Sequence, residues 1–131
     1  MREVPVENMF IPAMERSPEV DFRFLGNRIF LRGEAYPEDA AAFFGPLLKR
    51  LSAHCDAIRG QELQVEFRLD YFNTSSAKAL MNMIQILENA VRTGTQVTLR
   101  WCFQKDDEVM REFGEDFSRE LQHVDFQLVE I

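Results

Sequence analysis

The chain has 131 residues, 46% hydrophobic and 28% charged, with a formal net charge of −7. That size and balance describe one soluble domain around a single core. The acidic excess argues against a nucleic-acid backbone or an anionic membrane surface as the main partner, because both reward clustered Lys and Arg. No stretch approaches the roughly 20 apolar residues that cross a bilayer, and no basic region precedes an apolar run near the start. Cys55 and Cys102 stand alone and read as reduced thiols, so the expected location is the cytoplasm. His54 and His123 lack ligand-like neighbours at helical spacing, and no metal site or cofactor is expected.

Residues 1–19 contain Pro5, Pro12 and Pro18 and read as an extended leader with no regular element, Phe10 and Ile11 being tucked against the body. Residues 20–25 and 28–32 read as strands around Gly26-Asn27, a two-residue hairpin signal. Pro37 suits the first turn of a helix. Helical spacing of Phe43, Phe44, Leu47, Leu48, Leu51 and Cys55 then runs over 38–58, with a kink or a local restart expected at Gly45-Pro46. Residues 63–69 alternate as a strand, and 77–92 read as a helix closed by Gly94. Residues 96–103 give the next strand. Asp106, Asp107 and Glu108 open an acidic helix whose buried stripe is Val109, Met110, Phe113, Phe117 and Leu121. Residues 124–131 give the last strand.

The order is β-β-α-β-α-β-α-β over a single domain, 1–131. Alternating strands imply one covered and one wet face. The expected fold is therefore a single open-faced α/β sandwich, a mixed sheet with its helices mainly on one side. Its open face would carry Arg23, Glu66, Arg68, Arg100 and Asp125, a mixed-charge surface.

The junction between the central strand and helix holds Asn73, Thr74, Ser75 and Ser76, all able to cap free N–H groups at a helix start. Three adjacent hydroxyls thus sit where the strand ends and the helix begins, and one cap needs only one of them. The positive end of the helix dipole favours a phosphate there, carried by a ligand or added covalently to a hydroxyl. An ordinary turn and cap is the third reading. The helix beyond has a second apolar row, Ala79, Met83, Ile86 and Ala90, which is either buried by neighbouring helices or a partner-binding patch. No base–nucleophile pair or Gly-rich loop accompanies the hydroxyls, so no catalytic residue is assigned and the chain is read as non-enzymatic.

Several segments together resemble the SiaC family of bacterial regulatory phosphoproteins. They are Phe10-Ile11-Pro12, Ser17-Pro18, Gly33-Glu34-Ala35-Tyr36-Pro37-Glu38, residues 69–76 and Val97-Thr98-Leu99-Arg100-Trp101, with Tyr-Pro-Glu and Asn-Thr-Ser-Ser the most specific. The resemblance implies a fold like that of STAS-domain anti-sigma-factor antagonists. It also implies phosphorylation of Thr74 by a dedicated serine/threonine kinase, removal of the phosphate by a PP2C-like phosphatase, and control of a diguanylate cyclase (GGDEF) protein in cyclic-di-GMP and biofilm signalling. Tyr71, Asn73, Ser75 and Ser76 then form the switch loop, with Tyr36, Glu38, Met83 and Ile86 as candidate partner contacts. The chain departs from the family pattern at Ala35 and Asp39, where a serine and an asparagine flank Tyr-Pro-Glu. The alternative function is a small phosphate- or ligand-binding domain that uses the helix start at 73–76.

Overall fold

Six strands form one sheet in chain order: β1 (Met9–Ile11), β2 (Glu19–Arg23), β3 (Arg28–Ala35), β4 (Glu62–Phe72), β5 (Gln96–Phe103) and β6 (Asp125–Glu130). The computed structural model describes residues 7–131, so the first six residues of the expected leader lie outside the described residues. β1, β2 and β3 are antiparallel, whereas β3 to β6 run parallel. Three helices make the parallel crossovers: α1 (Ala40–Ala57), α2 (Thr74–Arg92) and α3 (Glu108–Arg119). Parallel crossovers share one hand, and the strand order advances in one direction, so all three helices cover the same face.

Burial follows the alternation. Val20, Phe22, Ile29, Leu31, Leu63, Val65, Phe67, Val97, Leu99 and Trp101 face the helices and are buried. Arg28, Arg68 and Arg100 face solvent on the other side. The open-faced mixed sandwich expected from the sequence is the fold observed.

Four local expectations need correction. Residues 9–11 form a strand inside the expected leader, pairing Ile11 with Val20. Met9 and Ile11 pack on the core, whereas Phe10 points to the open face. Three residues are too few for alternation to reveal a strand. The β2–β3 connection is also longer than a two-residue hairpin. Arg23 pairs with Arg28 around a 3-10 turn at Phe24–Gly26. Asn27, at φ 55°, takes the left-handed position and donates its N–H to the Phe24 carbonyl. Phe24 leaves the strand to pack 4.6 Å from the His54 ring.

α1 is continuous through Pro46, so the helix does not restart there. Pro46 falls in the second turn, where it removes the bond to the Ala42 carbonyl and its ring crowds that same carbonyl. Asp39 caps this helix through the Ala42 N–H, leaving Pro37 outside it. In α3, Met110, Gly114 and Phe117 face the sheet. Val109 is 63% exposed and Phe113 sits at the surface, so neither belongs to the core stripe expected of them. Gly114 sets that rotation, because an added Cβ would lie 2.6 Å from both Trp101 and Leu128. The helix approaches the sheet most closely where it has no side chain.

Candidate functional site

The site begins in a β-bulge. Gly33 pairs with Leu69 but Glu34 pairs with Tyr71, so Asp70 is the extra residue in β4. A bulge shifts the two-residue period, and the side chains after it exchange faces. Leu69 and Phe72 therefore both point into the core, whereas Tyr71 stands 51% exposed. The strand continues to Phe72, three residues past the end of the plain alternation. Phe72 packs against Trp101, Phe113 and Phe117.

Asn73 then turns the chain into α2. Its N–H donates to the Ala35 carbonyl, and its side-chain oxygen accepts the Ser76 N–H at 3.0 Å. Thr74 and Ser75 occupy the first two helical positions, are exposed, and carry backbone N–H groups with no intrahelical acceptor. Ser76 is buried, its Oγ without a partner. The three hydroxyls that look alike in sequence thus differ: two face solvent and one faces the core.

Two grooves meet at this helix start. One, of about 310 Å³, is lined by Tyr71, Phe72, Asn73, Thr74, Ala77 and Phe113. The other, of about 850 Å³, lies between the starts of α1 and α2, with Glu38, Phe44, Leu48, Ser75 and Lys78 among its walls. Tyr36 joins them, meeting Tyr71 edge to face. The structure therefore gathers Tyr36, Glu38, Tyr71, Asn73, Thr74 and Ser75 at one end of the domain.

Met83 and Ile86 do not join that group. Met83 is completely buried and Ile86 is half-buried against the core. Ala79 and Ala90 are buried as well, and α1 packs along α2. The second apolar row of α2 is therefore core, which removes Met83 from the candidate partner contacts. An exposed aromatic surface does exist, but Phe113 and Tyr71 supply it. The sequence signal for it was the pair of aromatic residues following Asp70, and the bulge decides which of the two points outward.

The two departures from the family pattern are mild in this setting. Asp39 is the N-cap of α1, a role in which Asp and Asn are nearly equivalent. Ala35 is buried, and its carbonyl holds the Asn73 N–H.

No helix among the described residues is long and apolar enough to cross a membrane. A family model for SiaC family regulatory phosphoproteins matches residues 11–131. A protein of Pseudomonas aeruginosa (strain UCBPP-PA14) that carries no functional description is 30% identical over 112 residues, covering 86% of this chain and 88% of its own. The crystal structure of apo-SiaC from Pseudomonas aeruginosa superposes with a TM-score of 0.84 at 28% identity, covering 93% of this chain and 98% of that one. SiaC in the crystal structure of the diguanylate cyclase SiaD with its activator SiaC, from the same organism, gives 0.87 at 28% identity over 94% and 99% of the two chains. The family match favours the regulatory reading over the enzymatic one, and the chain belongs to the SiaC family of regulatory phosphoproteins.

Proposed function

We propose that this chain is a non-catalytic switch that binds and controls a diguanylate cyclase, with reversible phosphorylation of Thr74 setting whether it binds. The observation that carries the reading is that Thr74, exposed at the first position of α2, lines the same groove as the exposed rings of Tyr71 and Phe113. Modification and docking would then act on one spot. A phosphate adds roughly −1.5 to −2 charges at neutral pH. The free N–H groups and helix dipole stabilise it in the unbound chain, and a partner covering the groove must desolvate it. Both effects favour the unbound state. Ser76 is the poorest acceptor of the three hydroxyls, because its Oγ is buried.

The likeness to a SiaC chain solved with a cyclase supports a cyclase as the partner. A cytoplasmic serine/threonine kinase and a PP2C-like phosphatase would write and erase the mark. A phosphate-binding role fits less well, since the groove that Thr74 lines has no Lys, Arg or His and the adjoining one has Lys78 alone. The test is calorimetric titration of the cognate cyclase with wild type, Thr74→Ala and Thr74→Asp, with cyclic-di-GMP production followed in parallel. Thr74→Ala should bind like the unmodified chain and Thr74→Asp about tenfold or more weakly. Equal binding by both variants would sink the switch.

A further inference from the structure

Among the described residues, the open face of the sheet holds five arginines, Arg23, Arg28, Arg32, Arg68 and Arg100, and no lysine. The carboxylates between them lie low. Asp21 and Glu66 have side chains 15% exposed, against 51%, 45% and 47% for Arg23, Arg68 and Arg100. Asp21 is held by Arg23, and Glu66 accepts from Arg68 at 2.9 Å with Arg100 3.7 Å away. A guanidinium has five N–H donors, so each keeps several free on its solvent side. Arg28 makes no ion pair among the described residues. Phe30 lies at the centre of the face, with the guanidiniums of Arg23 and Arg32 at 4.9 and 4.6 Å from its ring.

Over the middle of β2 to β5, a chain of net charge −7 thus presents guanidinium groups standing outside the carboxylates of Asp21 and Glu66, with the exposed Asp125 at the β6 edge. Arg and aromatic residues without Lys are the composition of interface centres rather than of ordinary solvated surface. Free guanidinium edges match carboxylates in paired geometry. Nucleic acid fits poorly, because a long phosphate backbone would also meet the acidic remainder of the chain.

We propose that the open sheet face is a second docking surface, which takes a carboxylate-rich segment of a partner protein laid across β2 to β5 with an apolar side chain on Phe30. It lies on the side of the sheet opposite α2, and it holds whether or not Thr74 is a switch.

The test is a fluorescence-anisotropy titration of the full chain with a labelled Glu-rich peptide carrying one Phe. Arg28→Glu/Arg100→Glu should weaken binding about tenfold or more, and added salt should weaken it further. Lys49→Glu, on the helical side, should leave it unchanged. If the double variant melts early, Arg28→Gln replaces it, since Arg28 has no ion pair to orphan. Absence of binding by wild type, or equal binding by wild type and variant, overturns the proposal. A DNA oligonucleotide that competes as well as the peptide overturns it in favour of general anion attraction. A dimer in sedimentation velocity that Arg28→Glu/Arg100→Glu dissociates overturns it in favour of a second copy of the chain.

Discussion

Tyr36 and Tyr71 meet edge to face with ring centroids 5.6 Å apart, tying the loop ahead of α1 to the strand end ahead of Thr74. Because Tyr71 is half-exposed, Tyr71→Ala removes little burial and should lower stability by about 1 kcal/mol or less. Loss of the same ring from a docking surface should weaken cyclase binding about tenfold or more. A thermal melt beside a titration separates the two effects. A large fall in melting temperature with unchanged affinity would make this pair a structural clasp only.

Glu88 gives a pH-dependent prediction elsewhere in the fold. Its buried carboxylate accepts the backbone N–H groups of Gln122, His123 and Val124 and contacts the His123 ring at 2.8 Å. Burial alone pushes this carboxyl up, but the His123 ring and the three N–H groups outweigh it and hold the group at about 2, below its ordinary 4.5. A depressed value means the stabilisation is fully present above about pH 4.5 and is lost as pH falls towards 2. The difference corresponds to roughly 3 kcal/mol. Glu88→Gln turns an N–H group towards donors and should cost roughly 2–4 kcal/mol at neutral pH. It should also flatten the acid limb of the stability curve, and an unchanged limb in acid titrations would exclude Glu88 as its source.

How far the sequence could be read follows from how local each signal is. The strands β2 to β6 and the three helices show in two-residue and helical periods, and the helix start at Asn73 to Ser76 shows in its capping residues. Three features of the site do not show. The bulge at Asp70 depends on pairing with Gly33, on a strand more than thirty residues earlier. The exposure of Phe113 depends on Gly114 fixing the rotation of α3 against Trp101. The burial of Met83 depends on α1 packing along α2. Each is settled by contact between elements distant in the chain, and periodicity within one element carries no trace of it.

Gly114→Ala tests the α3 contact. The added methyl would sit 2.6 Å from Trp101 Cδ1 and 2.8 Å from its Nε1, and that indole N–H is already bonded to the Met110 carbonyl at 2.9 Å. A buried indole held at both ends has little room to yield. Crowding of this kind costs about 1–3 kcal/mol. Tryptophan fluorescence should report it directly, since Trp101 is the chain's single tryptophan. Full stability with an unshifted emission maximum would mean that α3 can retreat from the sheet without cost.

Met83 tests where the core ends. It is completely buried beside Leu80, Ile84 and Leu87, which are buried to the same degree. Met83→Ala leaves a cavity and should cost about 2–5 kcal/mol. Met83→Glu places a carboxylate where no partner is provided, and it should unfold the domain or leave it protonated at neutral pH. Ile86, on the same row but half-buried, should tolerate Ile86→Ala with a smaller loss. Denaturant midpoints of the three variants rank these effects. If Met83→Glu kept a wild-type midpoint and instead lost cyclase binding, the second row of α2 would be a docking surface after all, and α1 would have to move aside to expose it.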